Sequence, residues 1–150
     1  RPGRPTHVRL LSDLGDGDEY ELPGGVVSRL TEDGISGPAL QRHYYVKLPA
    51  EFWANGWMAI MTGPALAMFL TLLTEMGDKP HHTELWLSPG EADERVGLSE
   101  ETRSKGLREL QRLDLVEMRR RPIGRDVFDF RRLRNVYVLQ LERLNKRPDE

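Results

Sequence analysis

Val96-Gly97-Leu98-Ser99-Glu100-Glu101-Thr102-Arg103-Ser104-Lys105-Gly106-Leu107-Arg108-Glu109-Leu110-Gln111-Arg112-Leu113-Asp114-Leu115-Val116 changes its hydrophobic period near its end. Helical spacing holds up to Leu113, and the alternation of a strand begins at Leu115. Ser99 predicts the helix start, with Glu100 and Glu101 in the first turn, where carboxylates favour the helix dipole. At about 100° per residue Leu107, Leu110 and Leu113 fall within one third of the circumference, with Arg103 and Gly106 beside them. That side is expected in the core. The opposite side then presents Glu101, Ser104, Lys105, Arg108 and Arg112 to solvent. The stem of Arg103 is expected along the core edge, with its head reaching Glu109 or an anionic ligand.

Outward from this run, Thr62-Gly63-Pro64 predicts an earlier helix, with a capping side chain followed by a proline whose missing N–H costs nothing. Leu66, Phe69, Leu70, Leu73 and Met76 follow at helical spacing before Gly77 stops it. Glu84 to Leu87 reads as a short strand with Leu85 and Leu87 on one face and Trp86 on the other. Ser88-Pro89 opens a brief helix to Val96, closed by Gly97. Beyond Leu115, strands are predicted over Leu115–Arg121 and Asn135–Leu141, joined by a loop rich in Arg and Asp. The order is helix, short strand, helix, tight turn, helix, hairpin.

This order, together with the small-residue turn, Leu98-Ser99, Thr102, Leu107 and Leu110 and the closing Leu113-Asp114-Leu115-Val116, resembles the bacterial winged-helix regulators of the MarR and GntR families. Asp114 stands where those families usually have glycine. Residues 44–73, with Tyr45-Val46-Lys47-Leu48-Pro49 and then Ala65 to Leu73, are similar to the winged-helix domains of plasmid and phage replication initiators. The resemblance covers residues 44–141 and implies an α+β fold, a winged helix-turn-helix of three helices and a small β-hairpin wing. Residues 1–43 are expected as a β-rich or irregular extension, and residues 142–150 as a C-terminal tail.

Half of the 14 glycines and half of the 10 prolines lie in the first fifty residues. Apolar runs there are short: His7 to Leu11, Tyr20 to Leu22, Val26 to Leu30 and Arg42 to Leu48, read as strands. Asp16-Gly17, Gly24-Gly25 and Asp33-Gly34 are read as tight turns. Asp13, Asp16, Asp18 and Glu19 do not fit the spacing of an EF-hand loop and are read as a solvated acidic turn rather than a calcium site. Tyr44, Tyr45, Trp53 and Trp57 read as core cover joining this segment to the domain, or alternatively as a partner surface.

The composition, 38% hydrophobic and 31% charged over 150 residues, is that of a globular domain. Formal charge is −2, with a pI near 6.1, but it is unevenly spread. Residues 1–50 carry 6 basic and 7 acidic side chains, residues 51–100 carry 2 and 8, and residues 101–150 carry 14 and 9. With no cysteine, disulfides, thiolate nucleophiles and Cys-based metal sites are excluded, and a cytoplasmic location is the expectation. The uncharged run from Phe52 to Thr74 is long enough for a membrane span of about 20 residues, but Asn55, Gly56, Thr62, Gly63 and Pro64 interrupt it. No membrane is expected. Arg1 in place of Met points to an upstream segment.

Between residues 103 and 134 there are 11 basic and 5 acidic side chains, and all of the basic ones but Lys105 are arginine. A guanidinium grips phosphate bidentately and enters a narrow minor groove. The expected partner is therefore double-stranded DNA. Ser99, Thr102, Ser104, Lys105, Arg108 and Arg112 would read the major groove, with Arg119, Arg120, Arg121, Arg125, Arg131, Arg132 and Arg134 on phosphates or the minor groove. Glu100 and Glu101 oppose this near phosphates, and ion pairs of the arginines with Glu117, Asp126 and Asp129 are the alternative account of the wing. His81-His82-x-Glu84 lacks a second ligand pair for a metal, and His7 and His43 pair with no nucleophile. No cofactor and no enzymatic activity are expected. Transcriptional regulation or replication initiation would be the role, with a homodimer through the N-terminal segment. The rival readings are a winged-helix module for protein docking and one domain of a larger nucleic-acid enzyme.

Overall fold

The computed structural model describes residues 9–12, 15, 17–41, 43–87, 97–123 and 133–150. Its α+β structure divides into two units, Arg1–Tyr45 and Val46–Glu150. The expected helix from Pro89 to Val96 and the expected wing residues Arg125, Arg131 and Arg132 lie outside the described residues.

Among the described residues of the first unit the β content is one antiparallel bridge, Leu11 to Glu19. Val26 to Leu30, read as a strand, belongs instead to helix α1, Pro23–Glu32. Pro23 sits in its first turn, and Val26, Val27 and Leu30 share one side at i, i+1 and i+4, a pattern that five residues alone do not separate from alternation. Gly24 and Gly25 are therefore helical rather than a turn. Asp33-Gly34 does turn the chain, but as a helix stop: Gly34 takes φ +78°, its N–H reaches Thr31 O (3.0 Å), and the Ile35 N–H reaches Leu30 O (2.9 Å). Tyr44 to Leu48 forms no strand. Helix α2, Pro38–Gln41, supplies Leu40, the one buried hydrophobic among the described residues of this unit.

The second unit opens with two single-turn helices, α3 (Glu51–Ala54) and α4 (Trp57–Ile60), hinged at Gly56 with φ +78°. Helix α5, Gly63–Met76, starts where the sequence places it, with the Thr62 hydroxyl accepting from the Ala65 N–H and Gly77 as its cap. Helix α6, Glu100–Arg112, starts on Ser99, whose hydroxyl accepts from the Thr102 N–H. Strands β1 (Val116–Pro122) and β2 (Leu133–Leu139) form an antiparallel hairpin, with Val116 opposite Leu139 and Arg120 opposite Asn135. Leu85 bridges Tyr137, exchanging both backbone hydrogen bonds at 2.8 Å. The spatial order is thus Leu85, β2, β1. Among the described residues no helix is long and apolar enough to cross a membrane.

Phe52, Trp57, Met68, Phe69, Leu72, Leu85, Leu110, Leu115, Val116, Leu139 and Leu144 form the centre of the core. Phe52 stacks on Phe69, with ring centroids 5.4 Å apart and planes within 5°. Trp57, expected as cover, is fully buried, while its neighbour Trp53 is 56% exposed. What Trp57 holds is the C-terminal segment. Its indole N–H donates to Leu144 O (3.2 Å) and Lys146 O (3.0 Å), Asn55 Nδ2 donates to Leu144 O (2.7 Å), and the Arg143 guanidinium lies 4.8 Å above the indole. Residues expected as a tail therefore close the core through a 3₁₀ turn, Leu141–Asn145, with Leu144 fully buried.

Candidate nucleic-acid interface

Two local devices aim α6. At its end Asp114 takes φ +58°, its N–H donates to Gln111 O (3.1 Å), and the Leu115 N–H donates to Leu110 O (3.0 Å). This is the helix stop that glycine usually supplies. Asp tolerates the left-handed conformation better than most side chains, and the buried pair Leu110 and Leu115 closes the motif. Along its packed side, Gly106 meets the first turn of α5: a Cβ built there would lie 2.2 Å from Pro64 O and 2.7 Å from Met68 Cγ.

The outer side carries exposed Glu101, Ser104, Lys105, Arg108 and Arg112, as their spacing predicted. Lys105 Nζ pairs with Glu101 at 2.7 Å, one helical turn away, which holds that carboxyl below its usual range. Arg108 Nε donates to Ser104 O at 3.2 Å. Ser99 and Thr102, expected to reach DNA, bond each other through their hydroxyls (2.9 Å) within the cap. Glu109 does not serve Arg103. Its two carboxylate oxygens accept from the Thr62 N–H (2.9 Å) and the Thr62 hydroxyl (2.5 Å). The Thr62 hydroxyl and then its backbone N–H hold the Glu109 carboxyl below the ordinary range against the cost of desolvation, with Arg112 assisting. A groove of about 870 Å³ runs beside this contact, lined by Thr62, Pro64, Lys105, Arg108, Glu109, Gln111 and Arg112.

On the hairpin, alternation separates three consecutive arginines. Register puts Val116, Met118 and Arg120 on the face shared with Tyr137 and Asn135, and puts Glu117, Arg119 and Arg121 on the other with Val136 and Arg134. Asn135 and Tyr137 border a cleft with Arg103, Ser104 and Leu107 of α6, so Arg120 lies on the α6 side. Arg119 and Arg121 do not. Arg121 Nε reaches both oxygens of Glu84 at 2.9 Å, and Arg119 pairs with Glu117 at 2.7 Å and with Glu84 at 3.6 Å. The Arg121 hydrogen bond, more than any other effect, holds the Glu84 carboxyl below its usual range, and Arg119 does the same for Glu117. Arg134 lies 4.9 Å over the half-exposed Trp86 ring. Among the described residues no acceptor meets its buried Nε, and the guanidinium lies against the π face instead.

Of the seven arginines expected on the wing, the four that are described divide between the two faces of the hairpin. Arg119, Arg121 and Arg134 cover the outer face of the sheet, above buried Val136 and Val138, as an ion-pair and cation-π layer. Glu84, expected at the start of a short strand and beside His81-His82, pairs with both Arg119 and Arg121 and is the clamp of that layer. Strand alternation at Arg119-Arg120-Arg121 was the signal that could have separated these residues; the Thr62 to Glu109 bond has none, since its partners stand 47 positions apart. Comparison with known protein families, characterised proteins and solved structures finds no match.

Proposed function

We propose that the second unit is a winged helix-turn-helix domain that binds double-stranded DNA, with α6 in the major groove and the hairpin as its wing. Supporting the fold is the sheet order Leu85, β2, β1 with α6 leading directly into the hairpin. The observation that carries the function is the charge on the outer side of α6. Lys105, Arg108 and Arg112 are exposed, Lys105 in a one-turn ion pair with exposed Glu101, while Glu109 on the packed side is turned to Thr62. An apolar stripe on the core and cations on the free side suit a helix that reads guanine edges and grips phosphates. Arg120 joins them from the wing. Regulation of transcription and initiation of replication both fit this chemistry.

The test is affinity for duplex DNA against salt concentration, which should fall with a log-log slope of about −0.9 per phosphate neutralised. Absence of binding to any duplex at about 50 mM salt would falsify the proposal. A map of bound sites across a genome separates promoters from an origin. We also propose a second copy of the chain as partner of the first unit, where Leu10, Leu11, Tyr20 and Leu22 are all exposed, since paired half-sites need a two-fold dimer. Sedimentation of the chain with and without residues 1–43 checks this: the same mass per particle in both, after correction for the deletion, overturns it.

A further inference from the structure

Helices α5 and α6 are pinned to each other at two places on one side of α6. At Gly106 the backbones approach so closely that a Cβ would stand 2.2 Å from Pro64 O, which stops α6 from moving inward. Three residues later, on the same side of the helix, Glu109 reaches the same first turn of α5 and takes both donors of Thr62, at 2.9 and 2.5 Å. Leu110, beside Glu109, packs α6 into the core without a directional bond. The two contacts a turn apart add direction, restricting the rotation of α6 and its advance along its own axis.

We infer that Glu109 is a positioning residue, which through its two bonds to Thr62 sets the rotation of α6 and so determines which of Lys105, Arg108 and Arg112 meets the base edges. This rests on the DNA-binding reading above, although its geometric part can be measured without DNA. The residue type suits the task. A carboxylate accepts two donors at once, aspartate is short by one methylene of ~1.5 Å, and glutamine keeps a single acceptor oxygen. Side chains that read bases need placement within about 0.5 Å and 10–20°, a tolerance that a pivoting helix exceeds.

Glu109→Asp decides the matter because it shortens the reach and keeps the net charge, so non-specific attraction to DNA and its salt slope are expected to stay as they are. The probes are a duplex selected by the wild-type protein from a random library and a scrambled duplex of the same composition. The ratio of the two Kd values should shrink about tenfold in Glu109→Asp and in Thr62→Val, the worth of one bidentate base contact, and should return in Thr62→Ser. A contact that served stability alone would reduce the active fraction for both duplexes equally and leave the ratio unchanged, and that result overturns the inference. Residual dipolar couplings of the backbone amides, measured on the same variants without DNA, should report a rotation of α6 against α5 of more than about 10°. An unrotated α6 overturns the positioning role whatever the duplexes do. A rotated α6 in a protein whose wild type binds no duplex supports that role and refutes the DNA reading alone.

Discussion

Gly106→Ala isolates the contact on which the direction of α6 depends. In an unobstructed helix the change should help, since alanine is favoured over glycine by about 1 kcal/mol in a helix interior. Here the new methyl would stand 2.2 Å from Pro64 O and 2.8 Å from Pro64 C, both of them backbone atoms that cannot rotate away, and 2.7 Å from the more yielding Met68 Cγ. Restoring ordinary van der Waals separation at the oxygen requires α6 to retreat by about 1.2 Å, because carbon and oxygen repel steeply below about 3.4 Å. Overpacking of this kind costs about 1–3 kcal/mol, and retreat also stretches the Glu109 to Thr62 bonds, worth about 1 kcal/mol at a half-exposed position. The propensity gain offsets part of this, leaving a net loss of about 2 kcal/mol. With urea m-values of about 1–3 kcal/mol/M, the unfolding midpoint should fall by about 0.7–2 M. Ser104→Ala, at an exposed position on the other side of α6, is the control and should leave the midpoint unchanged or raise it slightly. A Gly106→Ala midpoint at or above that of the wild type would show that the close approach is not the constraint described.

Arg120→Ala should weaken binding to all duplexes and reduce the salt slope by about 1, whereas Arg121→Ala, which removes a guanidinium already paired with Glu84, should leave the slope unaltered. Equal effects in a filter-binding salt series contradict the division of the hairpin into two faces. Leu144→Ala opens a cavity beneath the fully buried Phe52 and Trp57 and should cost about 2–5 kcal/mol by denaturant titration, far more than truncating a loose tail. Glu84 and Glu109 have carboxyl groups held below the ordinary range, so their contribution to stability is complete above the unfolded-state pKa and disappears as pH falls through the lower folded value. Thermal unfolding between about pH 5 and pH 2 should therefore show a shallower acid limb for Glu84→Gln and Glu109→Gln than for the wild type; parallel curves exclude those pairs as contributors.

Wherever periodicity ran for three turns and ended on a residue of special backbone freedom, the sequence was sufficient: α5 between Thr62 and Gly77, α6 from Ser99, and the strand change at Leu115 are all in place. Short segments failed because five residues satisfy both periods at once, as Val26 to Leu30 shows. The site was legible in part. The outer side of α6 followed from 100° geometry, yet counting arginines along Arg119 to Arg134 treated a pleated strand as a single surface. Long-range partners left no local trace. Thr62 with Glu109, Glu84 with Arg121 and Trp57 with Leu144 are separated by 47, 37 and 87 residues, and only the folded chain brings them together.

The last of these separations governs when the second unit can finish folding. The backbone of Leu144 is the acceptor for Asn55 and Trp57, and its side chain is fully buried in the core, so residues 52–57 have no complete partner until the chain has been made beyond residue 144. At synthesis rates of about 5–20 residues per second the 87 residues from Met58 to Leu144 take roughly 4–17 s. Throughout that interval Phe52 and Trp57 await closure, which makes this a strongly non-local step in assembling the unit. Burial of the Trp57 indole, followed by its fluorescence, would time that step.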